Sequence, residues 1–93
     1  MKITKCKLEG IVVIEPDSFN DSRGFFFESY NKEKYSKLGI TTDFVQDNHS
    51  ASTKGTLRGM HWQLSPHAQS KLVRVCVGEV YDVAVDIRKD SPT

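Results

Sequence analysis

The sequence has few cysteines, no long apolar run and no excess of charge of either sign, and each shortage excludes a class of protein. Two cysteines in 93 residues cannot build the dense disulfide framework of a small secreted domain. Neither belongs to a Cys-x-x-Cys or Cys/His pattern, so we expect Cys6 and Cys76 to be free, buried thiols in a reducing compartment. No apolar stretch is long enough for a signal peptide or a membrane-spanning helix, which predicts a cytoplasmic protein with no membrane partner.

Positive and negative charges are nearly balanced and intermixed along the chain. Thirteen Lys and Arg against twelve Asp and Glu give a formal net charge of +1, with no basic stripe, so we expect no nucleic-acid partner. The composition, 38% hydrophobic and 27% charged, is typical of a globular protein and predicts one domain over residues 1–93. A chain of this length buries only about 60–65% of its unfolded surface, so its core is expected to be thin unless another chain helps to cover it.

Apolar periodicity and turn residues predict many short strands and one helix. Asn31 is placed to cap a helix that Gly39 ends, and residues 19–24 form a turn cluster. This pattern predicts an all-β, antiparallel sandwich or barrel with one short helix. The predicted strands cover residues 10–15, 25–30, 44–48, 55–64, 71–77 and 80–87.

The clearest hairpin signal is Gly78-Glu79 between two β-branched runs. A two-residue turn there would place Lys71 opposite Asp86 and Val75 opposite Asp82, on one shared face. That face mixes valines with charges, as the wall of a polar cavity would, whereas the other face is ordinarily hydrophobic.

The stretch GTLRGMHWQL, residues 55–64, has no cleanly apolar face and contains the best candidate for proton transfer, His61. Gln63 follows on the same face, and Lys71 lies on a strand expected nearby. Two other interpretations remain open. His61 could be a half-buried strand histidine bonded to backbone, or a metal ligand, although His49, His61 and His67 lack the usual ligand spacing.

Several other polar residues have both a binding and an ordinary interpretation. Arg23 and Arg58 suit anion binding but also suit a solvated surface, and a bulge at Gly59 would bring Arg58 to the side of His61. Gln46 and Asn48 could read a nucleobase edge or be polar residues of an edge strand. The three phenylalanines at 25–27 favour core or interface over ligand stacking.

Four motifs, in this order, resemble the N-terminal half of the dTDP-4-dehydrorhamnose 3,5-epimerase family: DSRGFFFESY, FVQDNHSAS, GTLRGMHWQ and QSKLVRVCVGEVYDVAVDIRKDSPT. The resemblance implies a metal-free, cofactor-free cupin-type jelly roll, incomplete in this chain, and a homodimer that exchanges N-terminal strands. It also implies epimerisation of a dTDP-sugar substrate, dTDP-4-dehydro-6-deoxy-glucose, at C3 and C5, in the pathway to dTDP-L-rhamnose.

The resemblance also implies a role for each matching residue. His61 would be the general base, Lys71 would stabilise the C4 enolate, and Asp82 would lie beside Lys71. The remaining matches would bind substrate: Arg58 the diphosphate, Arg23 and Glu28 the nucleotide, and Gln46, Asp47, Asn48 and Gln63 the substrate pocket.

Two departures from the family pattern qualify these implications. Trp62 stands where other aromatic residues are common, and family members are considerably longer than 93 residues. The tyrosine that returns a proton and the carboxylate that orients the histidine have no counterpart here, so we expect this polypeptide alone to be inactive or nearly so. The alternatives are a non-catalytic nucleotide-sugar-binding or strand-swapped module, a C3-only epimerase, or a ketoisomerase.

Overall fold

The computed structural model describes residues 1–92, and its regular secondary structure lies in the first 37 residues of that range. Four short strands precede one helix. Both sheets are antiparallel pairs, β1 with β2 and β3 with β4, which confirms the predicted antiparallel class with one short helix. The jelly roll stays a prediction. The elements are β1 (Lys2–Lys5), β2 (Val12–Glu15), β3 (Ser18–Asp21), β4 (Gly24–Phe27) and α1 (Lys32–Lys37).

The described chain divides into two compact units. One contains Met1–Thr41 and the segment from Glu79 onward, and the other contains Thr42–Gly78. All five regular elements belong to the first unit. The prediction of one domain over residues 1–93 stays a prediction.

The β1–β2 hairpin follows from alternating apolar residues on either side of a glycine-containing loop. Ile3 lies directly opposite Ile14, and both are half-buried, so the two side chains share the covered face. The loop closes through the N–H of Cys6, which donates to the carbonyl of Ile11 at 3.1 Å. Gly10 has a φ of +91°, which an L side chain rarely adopts. The strand predicted over residues 10–15 is therefore confirmed at Val12–Glu15.

The β3–β4 hairpin corrects the prediction of a turn over residues 19–24. Ser18–Asp21 is a strand whose partner is Gly24–Phe27, so the turn shrinks to Ser22 and Arg23. Asn20 and Asp21 favour turns locally, but here their backbone pairs with β4. Cross-strand pairing overrides the local preference because it satisfies backbone N–H and C=O groups that a strand cannot satisfy alone.

The helix α1 begins and ends where capping residues predict. The Oδ1 of Asn31 accepts the N–H of Lys34 at 3.0 Å, and Asn31 has the extended backbone of an N-cap residue. Gly39, with a φ of +92°, follows the C-cap residue Leu38, and its N–H donates to the carbonyl of Ser36 at 3.0 Å. Both predicted boundary signals are confirmed.

Tyr35 is the one buried hydrophobic residue among residues 1–92, at 2% exposure. Its hydroxyl donates to the carbonyl of Ser29 at 2.7 Å. Its ring meets that of Tyr30 edge to face, with centroids 5.0 Å apart and planes at 83°. Such a pair contributes to stability beyond its buried area, so Tyr35 anchors the segment before α1 to the helix.

The strands predicted at residues 44–48, 55–64, 71–77 and 80–87 are wrong for this structure, which has no strand between residues 28 and 92. The hairpin predicted at Gly78-Glu79 is therefore also absent, and so are its two predicted faces. The apolar side chains of these segments are exposed, with Leu57 at 94% and Val77 at 93%. A β-branched run becomes a strand only against a partner backbone and a covering surface, and neither is present in the described chain. Cys6 and Cys76 are free thiols, as predicted, but both are exposed rather than buried.

Hydrogen bonds among Asp86, Arg88, Ser91 and the carbonyl of Glu9, called the Asp86 clasp below, link residues 86–91 to the β1–β2 loop. The carboxylate of Asp86, only 6% exposed, accepts the backbone N–H of Arg88 at 3.0 Å, its Nε at 2.9 Å and its Nη2 at 2.8 Å. The hydroxyl of Ser91 donates to the same carboxylate. Arg88 Nη2 also donates to the carbonyl of Glu9 at 3.0 Å. Asp86 therefore pairs with Arg88 and not with the Lys71 that the hairpin predicts.

Tyr35→Phe removes the hydroxyl that bonds to Ser29 and leaves the ring in place. We expect the free energy of unfolding to fall by about 1 kcal/mol, the usual net value of a protein hydrogen bond. Urea denaturation followed by helical circular dichroism measures this change. Tyr81→Phe is the matched control, because Tyr81 is 94% exposed. Equal stability of the two variants would contradict the anchoring role of Tyr35.

The Asp86 clasp should weaken in acid. Hydrogen bonds from Arg88 and Ser91 hold the pKa of Asp86 below its usual range. A carboxyl group with a lowered folded pKa stabilises the fold fully above its unfolded value, about 3.9, and loses that contribution as pH falls through the folded pKa. We expect the Nε–H resonance of Arg88 to stay constant from pH 7 down through pH 4 and to shift only at a pH well below the usual pKa of an aspartate. Asp86→Asn should remove that acid transition, and its persistence in the variant would contradict this assignment.

Candidate functional site

The predicted site residues are divided between the two units. Seven lie in the unit Thr42–Gly78, and three lie in the unit that contains all regular secondary structure. The first group is Gln46, Asp47, Asn48, Arg58, His61, Gln63 and Lys71, and the second is Arg23, Glu28 and Asp82.

The predicted base and the predicted enolate partner are exposed and accessible to a ligand. His61 and Lys71 are exposed, as is Asp82 in the other unit. Within residues 1–92, no hydrogen bond or ion pair holds any of these three side chains. Their catalytic roles, and the proximity of Asp82 to Lys71, stay predictions.

Gln46 and Asn48 are brought together by a direct contact. Gln46 Nε2 donates to Asn48 Oδ1 at 3.2 Å, with Asp47 between them in the chain. Two residues that alternate along the chain therefore present amide groups side by side. Each amide keeps a further donor or acceptor for a ligand, because an amide side chain offers two donors and two lone pairs.

Arg58 bonds weakly to the backbone of its own unit. Its Nη2 donates to the carbonyl of Ala51 at 3.3 Å, which is at the long end of the hydrogen-bond range. The following Gly59 has a φ of +128°, so the alternation of a regular strand does not continue through this residue. With no β-ladder here, a bulge at Gly59 stays a prediction.

Arg23 occupies the tip of the β3–β4 hairpin and is paired with Asp21. Its Nη2 lies 2.8 Å from Asp21 Oδ2, and its backbone N–H donates to Asp21 Oδ1 at 2.8 Å. These hydrogen bonds hold the pKa of Asp21 below its usual value. The guanidinium is 89% exposed and keeps other N–H groups for an anion.

Phenylalanine side chains lie beside this arginine and line the same open depression. An open depression of about 240 Å³ lies at the hairpin tip, and Phe25 stacks with Phe27 at a ring distance of 5.8 Å. Exposed rings beside a guanidinium can take the flat face of a base while the guanidinium takes a phosphate. The depression is lined by Phe19, Asp21, Arg23, Gly24, Phe25 and Phe26.

Glu28 lies directly after β4 and is held by residues of the helix start. Its Oε1 lies 2.9 Å from Lys34 Nζ, and its Oε2 accepts Asn31 Nδ2 at 3.4 Å. Both donors favour the charged carboxylate and hold the pKa of Glu28 below its usual value, with the Lys34 contact the stronger cause. Glu28 is therefore a fixed anion at the base of the aromatic hairpin.

Sequence reasoning missed the two contacts that organise this unit. Lys34 is six residues from Glu28, which lies outside the helix, so the usual i,i+3 and i,i+4 pairing of a helix could not have found the pair. The Asp21–Arg23 contact could have been found, because aspartate often accepts the N–H two residues ahead in a turn.

Residues 1–92 contain neither a cluster of metal-ligating side chains nor a helix that could span a membrane. No three His, Cys, Asp or Glu side chains lie together as a metal-binding group in this range. None of the helices there combines the length and apolar character needed to cross a bilayer.

Comparison with known proteins identifies the class of sequence to which these motifs belong. The pattern of the dTDP-4-dehydrorhamnose 3,5-epimerase family matches residues 5–93, nearly the whole chain. The chain belongs to this family. All ten predicted site residues fall within the matched range.

Individual relatives agree with the family match. Over its whole length the chain is 56% identical to a dTDP-4-dehydrorhamnose 3,5-epimerase of Shigella flexneri and 55% identical to one of Salmonella typhimurium, covering 52% and 51% of those proteins. It is 47% identical over 99% of its length to the protein of that name from Methanothermobacter thermautotrophicus, covering 49% of it. The chain thus spans about half the length of these curated relatives. No solved structure matches it significantly.

Proposed function

We propose that this chain contributes the base-bearing half of an enzyme that epimerises dTDP-4-dehydro-6-deoxy-glucose at C3 and C5, giving dTDP-4-dehydro-L-rhamnose. The observation that carries the proposal is the family match over residues 5–93, which contains the GTLRGMHWQ and QSKLVRV motifs. High identity to several proteins with this activity in their names supports it.

The C4 ketone makes one base sufficient for both carbons. C3 and C5 each neighbour the carbonyl, so removing the proton from either carbon gives an enolate that includes the C4 oxygen. His61 takes the proton, the C–H electron pair enters the new C=C bond, and negative charge develops on that oxygen. Return of a proton to the opposite face inverts the carbon. The reaction is redox-neutral, so it requires no electron-accepting cofactor.

Lys71 is required because a histidine is a weak base for this proton. Each unit of pKa mismatch between imidazolium and the carbon acid costs about 1.4 kcal/mol. A positioned ammonium beside the C4 oxygen lowers that cost by stabilising the enolate. Asp82 orients Lys71 in this proposal. The exposure of His61 and Lys71 supports their access to a bound sugar.

The remaining matched residues bind the substrate. Arg58 contacts the diphosphate, since guanidinium pairs well with phosphate oxygens. Arg23 and Glu28 hold the nucleotide. The open depression beside Arg23 and its exposed phenylalanine rings support a nucleotide there. Gln46, Asp47, Asn48 and Gln63 line the substrate pocket, and the amide contact between Gln46 and Asn48 supports a shared role for that pair.

We further propose that the protein is a cytoplasmic homodimer with a cupin-type jelly roll, in which N-terminal strands are exchanged between protomers. The exposure of apolar side chains in the segments 71–77 and 80–87 supports cover by further chain. Sedimentation equilibrium should give twice the mass of one chain. A clean monomer at micromolar concentration would contradict the exchange.

Isotope exchange tests the chemistry directly. In D2O we expect the protein to replace the C3 and C5 protons of the substrate with deuterium, because exchange needs only the base and the enolate stabiliser. NMR follows the loss of the two proton signals. His61→Asn should slow exchange at both carbons at least a hundredfold, the usual contribution of a general base. Lys71→Gln should slow it by a similar factor. Inversion by this polypeptide alone should be absent or nearly so, since it also requires a donor on the opposite face, which has no counterpart among these residues.

Matched variants separate chemistry from general damage. His67→Asn and Lys54→Gln change exposed residues outside the proposed pocket and should leave exchange unchanged. Substrate binding without exchange would instead identify a non-catalytic nucleotide-sugar-binding module. Exchange at C3 alone would identify a C3-only epimerase.

A further inference from the structure

The carboxylate of Glu28 is held in place from one side by the start of α1. Lys34 Nζ lies 2.9 Å from Oε1, and Asn31 Nδ2 donates to Oε2 at 3.4 Å. The first contact has the length of a charge-assisted bond, and the second is a weak one. Oε1 therefore forms an ion pair with the helix residue Lys34, and Oε2 accepts a weak hydrogen bond from the N-cap residue Asn31.

The two donors are themselves fixed by the helix cap. Asn31 uses Oδ1 to accept the N–H of Lys34 and uses Nδ2 to reach Glu28, so one amide ties the carboxylate to the first helical turn. The residue after Glu28 is held as well, because Tyr35 donates its hydroxyl to the carbonyl of Ser29. The segment between β4 and α1 thus has three contacts to the helix, which restricts the orientations that Glu28 can adopt.

The charges around this group favour an ionised carboxylate. The ammonium of Lys34 and the amide of Asn31 lower the pKa of Glu28, and the carboxylate in turn raises the pKa of Lys34. Asp17 adds a smaller favourable interaction with Lys34, and it is paired with the amino group of Met1 at 2.8 Å. Each charged group here therefore lies near a group of opposite sign, which favours the ionised forms of both Glu28 and Lys34.

Glu28 keeps capacity for a ligand in this arrangement. An ionised carboxylate has about four lone-pair positions. Oε1 is buried beside Lys34, so the capacity left for a ligand is on Oε2, which uses one position for Asn31. The free positions accept N–H or O–H donors and repel phosphate oxygens. Of the groups in a nucleotide, only the ring N–H or a sugar hydroxyl suits them.

We propose that Lys34 is a positioning residue for nucleotide binding: it holds the Glu28 carboxylate, together with Asn31, so that the free lone pairs accept an N–H or O–H donor of the thymidine nucleotide. This inference rests on the nucleotide-binding role proposed above for Glu28. It adds Lys34, which does not contact the nucleotide itself and affects nucleotide binding only by holding Glu28.

The test compares Lys34→Gln with Lys34→Arg in the intact chain. The probe is thymidine diphosphate, titrated by calorimetry, and a second readout is the pH titration of the Glu28 carboxyl carbon by NMR. Lys34→Gln should raise the pKa of Glu28 toward its usual value and weaken thymidine diphosphate binding about two- to fivefold, as expected for a partly exposed ion pair. Lys34→Arg keeps the charge and should restore both readouts.

Two further variants provide the controls. Lys37→Gln removes a positive charge from the same helix, but Lys37 pairs with Glu33 at 3.5 Å and should leave both readouts unchanged. Asn31→Asp keeps a good N-cap but replaces the donor facing Glu28 with a second carboxylate, so it should weaken binding with the helix preserved. Circular dichroism confirms the helix in each variant.

The outcomes separate this inference from the proposed enzyme activity. Unchanged affinity in Lys34→Gln, absence of thymidine diphosphate binding by the wild type, or equal binding by Glu28→Gln would each overturn the inference. None of these results bears on isotope exchange that depends on His61. Conversely, loss of affinity in Lys34→Gln with rescue by Lys34→Arg would support the inference even if no isotope exchange occurs, in which case only the proposed epimerisation fails.

Discussion

Backbone N–H and C=O groups need partners, and in this chain those partners are close in sequence. The β1–β2 pair closes over the loop that ends with the Cys6–Ile11 bond, and β3 meets β4 across only Ser22 and Arg23. The helix satisfies its own groups and uses Asn31 for the first turn. The later β-branched segments form no strand within residues 1–92, and most of their apolar side chains are exposed. Local pairing therefore decides which part of the described chain is regular.

Side-chain contacts then organise the regular part. Tyr35 packs against Tyr30 and bonds to Ser29, so the helix is fixed to the end of the second hairpin. Arg88 reaches the carbonyl of Glu9 and fixes the segment 86–91 to the first hairpin loop. These contacts are polar or aromatic, because the described residues bury little aliphatic surface. Such a structure relies on a few specific bonds more than on a hydrophobic core.

The proposed site residues differ in how firmly their side chains are held. Arg23 and Glu28 are each held by a neighbouring charged side chain, Asp21 and Lys34, at 2.8 and 2.9 Å. His61 and Lys71 have no such support within residues 1–92. A binding group held in advance loses less conformational entropy when a ligand arrives. Preorganisation in this chain thus belongs to the proposed nucleotide-binding residues.

The amino-acid sequence by itself determined the helix boundaries at Asn31 and Gly39, the strand at Val12–Glu15 and the family to which the chain belongs. These properties depend on neighbouring residues or on motifs read in order, so no tertiary information is needed. Only the tertiary structure decided that Ser18–Asp21 is a strand and that the β-branched runs 71–77 and 80–87 form no strand. It alone decided that Glu28 meets Lys34 and that Asp86 meets Arg88 rather than Lys71. The physical reason is that a cap or a turn is a local hydrogen bond, whereas a ladder or an ion pair forms only where the path of the chain brings two segments together.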